Sequence, residues 1–223
     1  MNSLKEYLER AGVDKVGFAD VNGLASEFTS MPNGISLVLK LPKEAIYMVK
    51  NEDYEDYWKC FHARVAELSH IALEGEEFIK NLGYDAFALT MNRNECDMEK
   101  LLSILPYKTI ATKSGLGWIG RSALFVTPEY GSAVVLGAIL TDMPLEFGTP
   151  ITDSLCEDCE NCQKACPVDA INPKKWNDRL NREDIIDIDT CFEYIMDQYK
   201  NGLGCTKCMS ECKLTQDYLE SKG

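Results

Sequence analysis

Ten cysteines stand out in this chain of 223 residues, and eight of them lie in its last third. Four form the run Cys156-x2-Cys159-x2-Cys162-x3-Cys166, and Pro167 follows directly. This spacing and the proline match the bacterial pattern for 4Fe-4S ligation, in which the fourth cysteine ligates a different cluster from the first three. One such run therefore predicts a second cluster.

A partner set for that second cluster is present downstream. A lone cysteine is followed by a Cys-x2-Cys-x3-Cys run, so eight cysteines meet the eight ligand positions of two clusters. Because the fourth ligand of each run crosses to the other cluster, the cysteines divide into two sets. The first set is Cys156, Cys159, Cys162 and Cys212, and the second set is Cys166, Cys191, Cys205 and Cys208.

The residues alone leave two other uses of these cysteines open. Zinc ribbons also contain two Cys-x2-Cys pairs, although zinc does not need a four-cysteine run that ends in proline. A disulfide framework is the other alternative, but residues 1–10 do not resemble an export signal, and reducing compartments do not favour disulfides. Cys60 and Cys96 remain, and we expect core or incidental thiols there, with His62 and His70 as ordinary helix residues.

A glycine turn precedes the cysteines and formally satisfies the dinucleotide pattern G-x-G-x-x-G, with Gly115, Gly117 and Gly120. A dinucleotide turn follows a hydrophobic strand and opens a helix. Here residues 107–114 are polar and helix-like, and residues 121–127 have the pattern of a strand. The context therefore argues against a nicotinamide cofactor.

The elements that position these residues follow from the spacing of apolar side chains and from capping signals. Helices are predicted at residues 3–12, with a Ser3–Glu6 capping box, at 54–82 and at 96–105. Strands are predicted at residues 16–21, 35–41, 84–91, 123–127 and 132–140. The character changes after Pro144, so we expect an α+β protein with an α/β domain at 1–148 and a cysteine-rich domain at 149–223.

Charge and hydropathy exclude other classes of function. The net charge of −13 and a pI near 4.6 oppose binding to polyphosphate, so nucleic acid is not expected as a partner. The longest apolar run, residues 134–140, is far shorter than the ~18 residues of a membrane span. The N-terminal residues lack the pattern of a targeting peptide, so a cytoplasmic protein without membrane association is expected.

Three blocks ahead of the cysteines carry a family resemblance. They are residues 108–121 (KTIATKSGLGWIGR), 128–132 (PEYGS) and 140–145 (LTDMPL). In this order, and followed by the cysteine pattern, they resemble the epoxyqueuosine reductase family over residues 100–212. That family is grouped with the reductive dehalogenases. The resemblance implies a nitroreductase-like α/β N-terminal domain that binds cobalamin, and a ferredoxin-like domain whose two 4Fe-4S clusters supply electrons to the cobalt.

The resemblance also implies that the glycine turn faces this cofactor. Glycines let the backbone approach a flat macrocycle, and Arg121 is placed to meet its amide or phosphate groups. The alternative is a tight turn that packs Trp118 into the core. The implied cofactor-binding residues are Lys108, Gly115, Gly117, Trp118, Ile119, Gly120, Arg121 and Ser122.

Three departures from the family pattern are visible. The sequence stops eleven residues after Cys212, so the family's C-terminal helical repeats, which help to hold tRNA, are not expected. The segment in which the family has a proton-donating aspartate runs here from Glu99 to Pro106 without one, so no catalytic residue is identified. Arg121 replaces a lysine and keeps its charge. We therefore expect a short subfamily that is separate from epoxyqueuosine reductase itself.

Two classes of function are consistent with these observations. The first is a corrinoid-dependent reductase, in which electrons from a ferredoxin or flavodoxin pass through both clusters to cobalt and reduce a small substrate. The second is an electron carrier or reductive activator without an organic substrate, whose acceptor is the corrinoid of another protein. The missing acid favours the second. A flavin on the same scaffold would be the alternative to cobalamin.

Overall fold

The computed structural model describes residues 3–24, 30–90, 93 and 105–198, residues 204–221, and the backbone of 96–97 and 102–103. The helices are α1 (Leu4–Arg10), α2 (Lys43–Lys50), α3 (Tyr54–Asn81), α4 (Tyr107–Lys113), α5 (Asn161–Lys164), α6 (Arg182–Ile185), α7 (Ile188–Gln198), α8 (Lys207–Ser210) and α9 (Lys213–Glu220). The strands are β1 (Lys15–Asp20), β2 (Asn33–Lys40), β3 (Ala86–Leu89), β4 (Cys96–Asp97), β5 (Leu102–Ser103), β6 (Trp118–Ile119), β7 (Phe125–Val126) and β8 (Val134–Thr141). Within these described ranges, no helix has both the length and the apolar character needed to span a membrane.

The chain divides into two compact units, each made of non-contiguous segments. The first unit comprises Met1–Leu39, Arg64–Leu116 and Val135–Ile151, and the second comprises Lys40–Ala63, Gly117–Val134 and Thr152–Gly223. The last change of unit falls after Ile151, close to the predicted boundary at residue 148. The second unit also takes two earlier segments, so the units differ from the domains 1–148 and 149–223, which stay a prediction.

The first unit is built on a four-stranded sheet with the order β1-β2-β8-β3. The pairs β1–β2 and β3–β8 are antiparallel. Strand β2, one of the two central strands, is buried at every position except its last, which explains why its sequence is mostly apolar rather than alternating. Helix α4 packs against β1, and its Ile110 is fully buried in a core with Leu89 and Leu140.

Most predicted elements before the cysteine run are confirmed. Helix α1 has the predicted capping box, in which the Glu6 amide donates to Ser3 Oγ at 3.2 Å and the Ser3 amide donates to Glu6 Oε2 at 3.3 Å. Helix α3 ends one residue before the predicted limit. Strands β1, β2, β3, β7 and β8 all fall within or beside their predicted ranges.

The prediction of a helix at residues 96–105 is wrong. Cys96 pairs with Ser103, and Asp97 pairs with Leu102, as two short antiparallel strands. The residues between the strands lie outside the described part of the chain. Met, Glu, Lys and Leu favour a helix only weakly, by fractions of about 1 kcal/mol per residue, and tertiary context overrides such preferences. Helix α2, strand β6 and the helices α5 to α9 were not predicted.

Helix α9 is the element of the second unit that begins directly after Cys212, which is its N-cap residue. The Ser132 amide donates a hydrogen bond to Thr215 Oγ1 at 3.0 Å near the start of the helix. Near its end, the Tyr218 hydroxyl donates to the Leu41 carbonyl oxygen at 3.0 Å. The helix, and with it Cys212, is thus anchored to two distant segments of the chain.

Glu76 is a charged residue in the interior of the first unit, with 8% of its surface exposed. Burial would raise the pKa of its carboxyl, but hydrogen bonds from Arg93, Lys80 and the Ala88 amide outweigh burial and lower the pKa below its usual value. The carboxylate links α3 to β3 and to Arg93. It is therefore a polar contact on which the packing of this unit depends.

The Glu76→Gln variant should lower the free energy of unfolding by about 2 kcal/mol at pH 7, because hydrogen bonds to charged groups contribute roughly 1.5–3 kcal/mol. The folded pKa lies below the unfolded one, so this stabilisation exists above the unfolded pKa and disappears as pH falls through the folded pKa. Urea unfolding followed by circular dichroism from pH 7 downwards measures it. Exposed Glu77→Gln is the control, and a difference from wild type that persists unchanged at low pH would contradict the assignment.

Gly131 and Gly23 offer a matched test of the α9 anchor, since both have left-handed backbones with φ of 59° and 78°. A Cβ on Gly131 would meet the backbone nitrogen of Thr215, whereas one on Gly23 would meet nothing within 4 Å. Gly23→Ala should cost about 1 kcal/mol of backbone strain. Gly131→Ala should cost about 1–3 kcal/mol more, because the helix must move. Equal losses in urea unfolding would mean that this contact does not hold α9.

Candidate metal centre

The first set of cysteines is brought together in the second unit. Burial, and then the neighbouring thiols of Cys156, Cys212 and Cys159, raise the pKa of the Cys162 thiol to about 11. Cys156, Cys159 and Cys212 also line one cavity of about 560 Å³. Cys212 therefore lies beside three cysteines that precede it by at least fifty residues in the sequence.

The second set is gathered in the same way. Burial raises the pKa of the Cys191 thiol, and the thiols of Cys205 and Cys166 raise it further. The pKa of Cys208 is raised by burial and then by Cys205, Cys162, Cys191 and Cys166. Because Cys162 is among the neighbours of Cys208, the two sets adjoin one another.

Short helices and unusual turns place these thiols. Helix α5, which contains Cys162, packs against α8, which contains Cys208. Glu157, directly after Cys156, has a φ of 48°, and Cys205 and Thr206 have φ values of 66° and 50°. Residues with a Cβ rarely adopt this left-handed region, and each costs on the order of 1–3 kcal/mol. In both Cys156-x2-Cys159 and Cys205-x2-Cys208, the residue directly after the first cysteine therefore has a left-handed backbone.

The chemistry of this donor set fits iron-sulfur clusters. Cubane 4Fe-4S clusters are held by four cysteine thiolates, and the structure supplies two groups of four neighbouring thiols. Burial and the neighbouring thiols both raise the pKa of Cys162 and of Cys208, so a neutralising cation would favour their ionised forms. Among the described cysteines none forms a disulfide.

The sulfurs are not arranged as ligands of a single metal ion. In the described ranges of the chain, no three His, Cys, Asp or Glu side chains are gathered in that manner. Ligands of a four-iron cluster each bind a different iron atom at a different corner. A wider arrangement of the thiols is what such a cluster needs.

The glycine turn has a structure that is incompatible with dinucleotide binding. Helix α4 precedes it, and a hairpin of β6 and β7 follows, with Trp118 paired to Val126. A dinucleotide turn has the opposite order of elements. Gly117 is required for another reason, because a Cβ there would meet the carbonyl oxygen of Val126 on the neighbouring strand.

The two largest side chains of the turn, Trp118 and Arg121, donate hydrogen bonds to the segment that carries Cys156. Trp118 is 3% exposed, and its indole N–H donates to Cys156 Sγ at 3.4 Å. The buried Arg121 guanidinium donates to the carbonyl oxygens of Pro173 at 2.8 Å and Glu157 at 3.0 Å. Gly120 also lies beside Cys156, since a Cβ on Gly120 would be 3.6 Å from Cys156 Sγ. These residues support the cysteine loop.

The other implied cofactor-binding residues are not gathered round the cysteines in this way. Ile119 and Ser122 are buried, whereas Lys108 is half-buried on α4 of the first unit, and Gly115 follows that helix with a φ of 75°. A corrinoid-binding role for these eight residues stays a prediction. The contacts of Trp118 and Arg121 with the cysteine loop were not predicted from the sequence. A buried indole or guanidinium group needs a hydrogen-bond acceptor, so the sequence indicates that such contacts exist. The spacing of residues does not identify which atom accepts.

Comparison with known proteins identifies one segment of the chain directly. Residues 149–172 match the family model described as a 4Fe-4S binding domain. This segment contains all four cysteines of the run that ends at Cys166. The chain therefore contains a 4Fe-4S binding domain, which confirms this part of the cysteine prediction.

Curated relatives extend the likeness beyond the cysteines. The epoxyqueuosine reductase of Listeria monocytogenes is 38% identical over 111 residues, which are 46% of this chain and 28% of that protein. The epoxyqueuosine reductase of Pseudomonas aeruginosa is 25% identical over 210 residues, which are 88% of this chain and 51% of that protein. The chain thus spans between about a quarter and a half of the length of these relatives.

Solved structures share the fold. The catabolic reductive dehalogenase NpRdhA, in complex with 3-bromo-4-hydroxybenzoic acid, matches with a TM-score of 0.74 at 18% identity, over 95% of this chain and 31% of that one. Epoxyqueuosine reductase from Bacillus subtilis matches with a TM-score of 0.61 at 20% identity, over 98% of this chain and 66% of that one. The mixed helix and sheet fold is therefore the one found in both groups of enzymes.

Sequence and fold lead to the same group of proteins. The three blocks around the glycine turn and the cysteine pattern predicted this relationship, and the relatives confirm it. The chain is therefore similar in sequence to part of the epoxyqueuosine reductases, and it shares its fold with these enzymes and with the reductive dehalogenases.

Proposed function

We propose that this chain is an iron-sulfur oxidoreductase that carries low-potential electrons through two 4Fe-4S clusters to a corrinoid, where a small substrate is reduced. The observation that carries the proposal is the set of thiols that surrounds Cys162. The thiols that raise its pKa, after burial, belong to its own run and to Cys212, fifty residues later. This is the arrangement expected if each run gives its last cysteine to the other cluster.

The residues of the second unit would hold both clusters. The first set would ligate one and the second set the other, and when bound the clusters would supply one-electron transfer. Cys162 of the first set neighbours Cys208 of the second set, so the two clusters would lie close to one another. The side chains of Trp118 and Arg121 fix the loop that carries Cys156. Partial burial of the thiols limits the access of water to the sulfurs.

A corrinoid is the acceptor that the relatives favour. One related solved structure, that of a reductive dehalogenase, suggests a mechanism for B12-dependent dehalogenation, and its fold covers 94% of this chain. We infer a nitroreductase-like N-terminal domain as the corrinoid scaffold, with a ferredoxin or flavodoxin as electron donor. The second candidate, an electron carrier or reductive activator, is favoured by residues 99–106, which contain no aspartate to protonate a substrate.

Anaerobically reconstituted protein should contain about eight irons and eight sulfides per chain, because two cubane clusters need eight thiolates. Cys212→Ser should alter the electron paramagnetic resonance signal of one cluster and Cys208→Ser that of the other. Cys60→Ser is the matched control, because Cys60 belongs to neither set, and it should leave both signals unchanged. A single zinc without sulfide would refute the proposal, and damage to the same cluster by both variants would refute the crossed ligation.

Added cobalamin should bind to the reconstituted protein and change its visible spectrum. Lys108→Ala should weaken this binding about tenfold, the effect of losing one hydrogen bond from a charged group, whereas Lys113→Ala on the same helix should not. Titration followed by absorbance measures both. If cobalamin leaves the spectrum unchanged at high protein concentration, the carrier or activator takes the place of the reductase, and a bound flavin would replace the corrinoid.

A further inference from the structure

The contact between Trp118 and Cys156 is a hydrogen bond from a buried side chain to a sulfur that the proposed function assigns to the first cluster. The indole nitrogen lies 3.4 Å from Cys156 Sγ, within the range of an N–H···S bond. Trp118 is 3% exposed, so water does not replace the sulfur as its acceptor. The bond therefore joins a fixed donor to a ligand atom.

Both sides of this contact are rigidly held. Trp118 is paired with Val126 across the β6–β7 hairpin, which is closed by the Gly120 amide donating to the Leu124 carbonyl oxygen at 2.8 Å. On the other side, Arg121 donates to the carbonyl oxygen of Glu157, the residue that follows Cys156. The hairpin thus fixes the donor, and Arg121 holds the loop that carries the acceptor.

An N–H that points at a ligand sulfur stabilises negative charge there. A reduced cluster carries one electron more than the oxidised cluster, so the bond stabilises the reduced form more. Hydrogen bonds to the sulfurs are among the factors that set cluster potentials, and burial strengthens their effect. In the second set, Cys166 Sγ accepts instead from the Ala170 backbone amide at 3.3 Å, a donor that no side-chain substitution removes.

We propose that Trp118 raises the reduction potential of the first cluster through its N–H···S bond to Cys156, and that the glycine turn serves as the outer support of this cluster. This inference rests on the proposed two-cluster function. Trp118 is a positioning residue, because it touches a ligand of the cluster and not the cluster or a substrate. The reaction that it influences is the one-electron reduction of the cluster by a low-potential donor.

The test is a potentiometric titration of the reconstituted protein, monitored by electron paramagnetic resonance. Trp118→Phe keeps a buried aromatic ring and removes only the indole N–H, so the first-cluster signal, identified as the one altered in Cys212→Ser, should titrate at a more negative potential. The second-cluster signal should not shift. Trp176→Phe is the matched control, since it removes an indole from the same unit that makes no hydrogen bond to sulfur in the described ranges.

A second measurement does not depend on the folding of a variant. Wild-type protein labelled with ¹⁵N in the tryptophan indole should show a ¹⁵N coupling to the reduced first cluster, and Trp176→Phe should retain it. If the clusters form but Trp118→Phe titrates at the wild-type potential, or if the coupling is absent, the role of Trp118 is refuted while the two-cluster function stands. If no iron or sulfide binds at all, the proposed function itself fails.

Discussion

Thiolates that lie close together repel one another, and the second unit depends on holding eight thiols at such distances. The raised pKa values of Cys162 and Cys208 express this repulsion together with the cost of burial. Nothing local to a cysteine run can overcome it, because the ligands come from segments far apart in the sequence. The contact between α5 and α8 and the anchoring of α9 therefore serve a common purpose. They keep the cysteines of distant segments together in one unit.

This requirement explains why the second unit is not a contiguous C-terminal domain. Leu41 accepts the hydrogen bond that holds the end of α9, and Ser132 donates the one that holds its beginning. The hairpin of β6 and β7 supports the loop of Cys156. Segments 40–63 and 117–134 thus belong to the cysteine-containing unit because they supply fixed acceptors and donors for its ligand loops. A small ferredoxin, which lacks such segments, would need equivalent hydrogen bonds from within its own short chain.

The sequence predicted the ligands more fully than the structure around them. Motif spacing, including the proline after Cys166, predicts the 4Fe-4S segment that the family model matches. Apolar periodicity was sufficient to locate α3 and β2, because long periodic runs leave few alternatives. The segment from Cys96 to Leu105 has helix-forming composition, yet Cys96 and Asp97 pair as a strand, a choice that depends on tertiary contacts. For the same reason, no pattern in the sequence shows that Trp118 donates to a sulfur. Spacing identifies residue types suited to a cluster, whereas the partner of a buried donor depends on the fold.

The left-handed backbone at Glu157, Cys205 and Thr206 has a consequence for an empty site. Each of these residues is held in a conformation that costs on the order of 1–3 kcal/mol, and such a conformation persists only while its surroundings enforce it. Metal–sulfur bonds would provide that enforcement at both Cys-x2-Cys segments. When a cluster is lost, we expect the chain to relax into ordinary dihedral angles, so that the sulfurs turn away from their ligand positions. Cluster loss in air would then be slow to reverse, because reloading would have to wait for an unfavourable backbone rearrangement as well as for iron and sulfide.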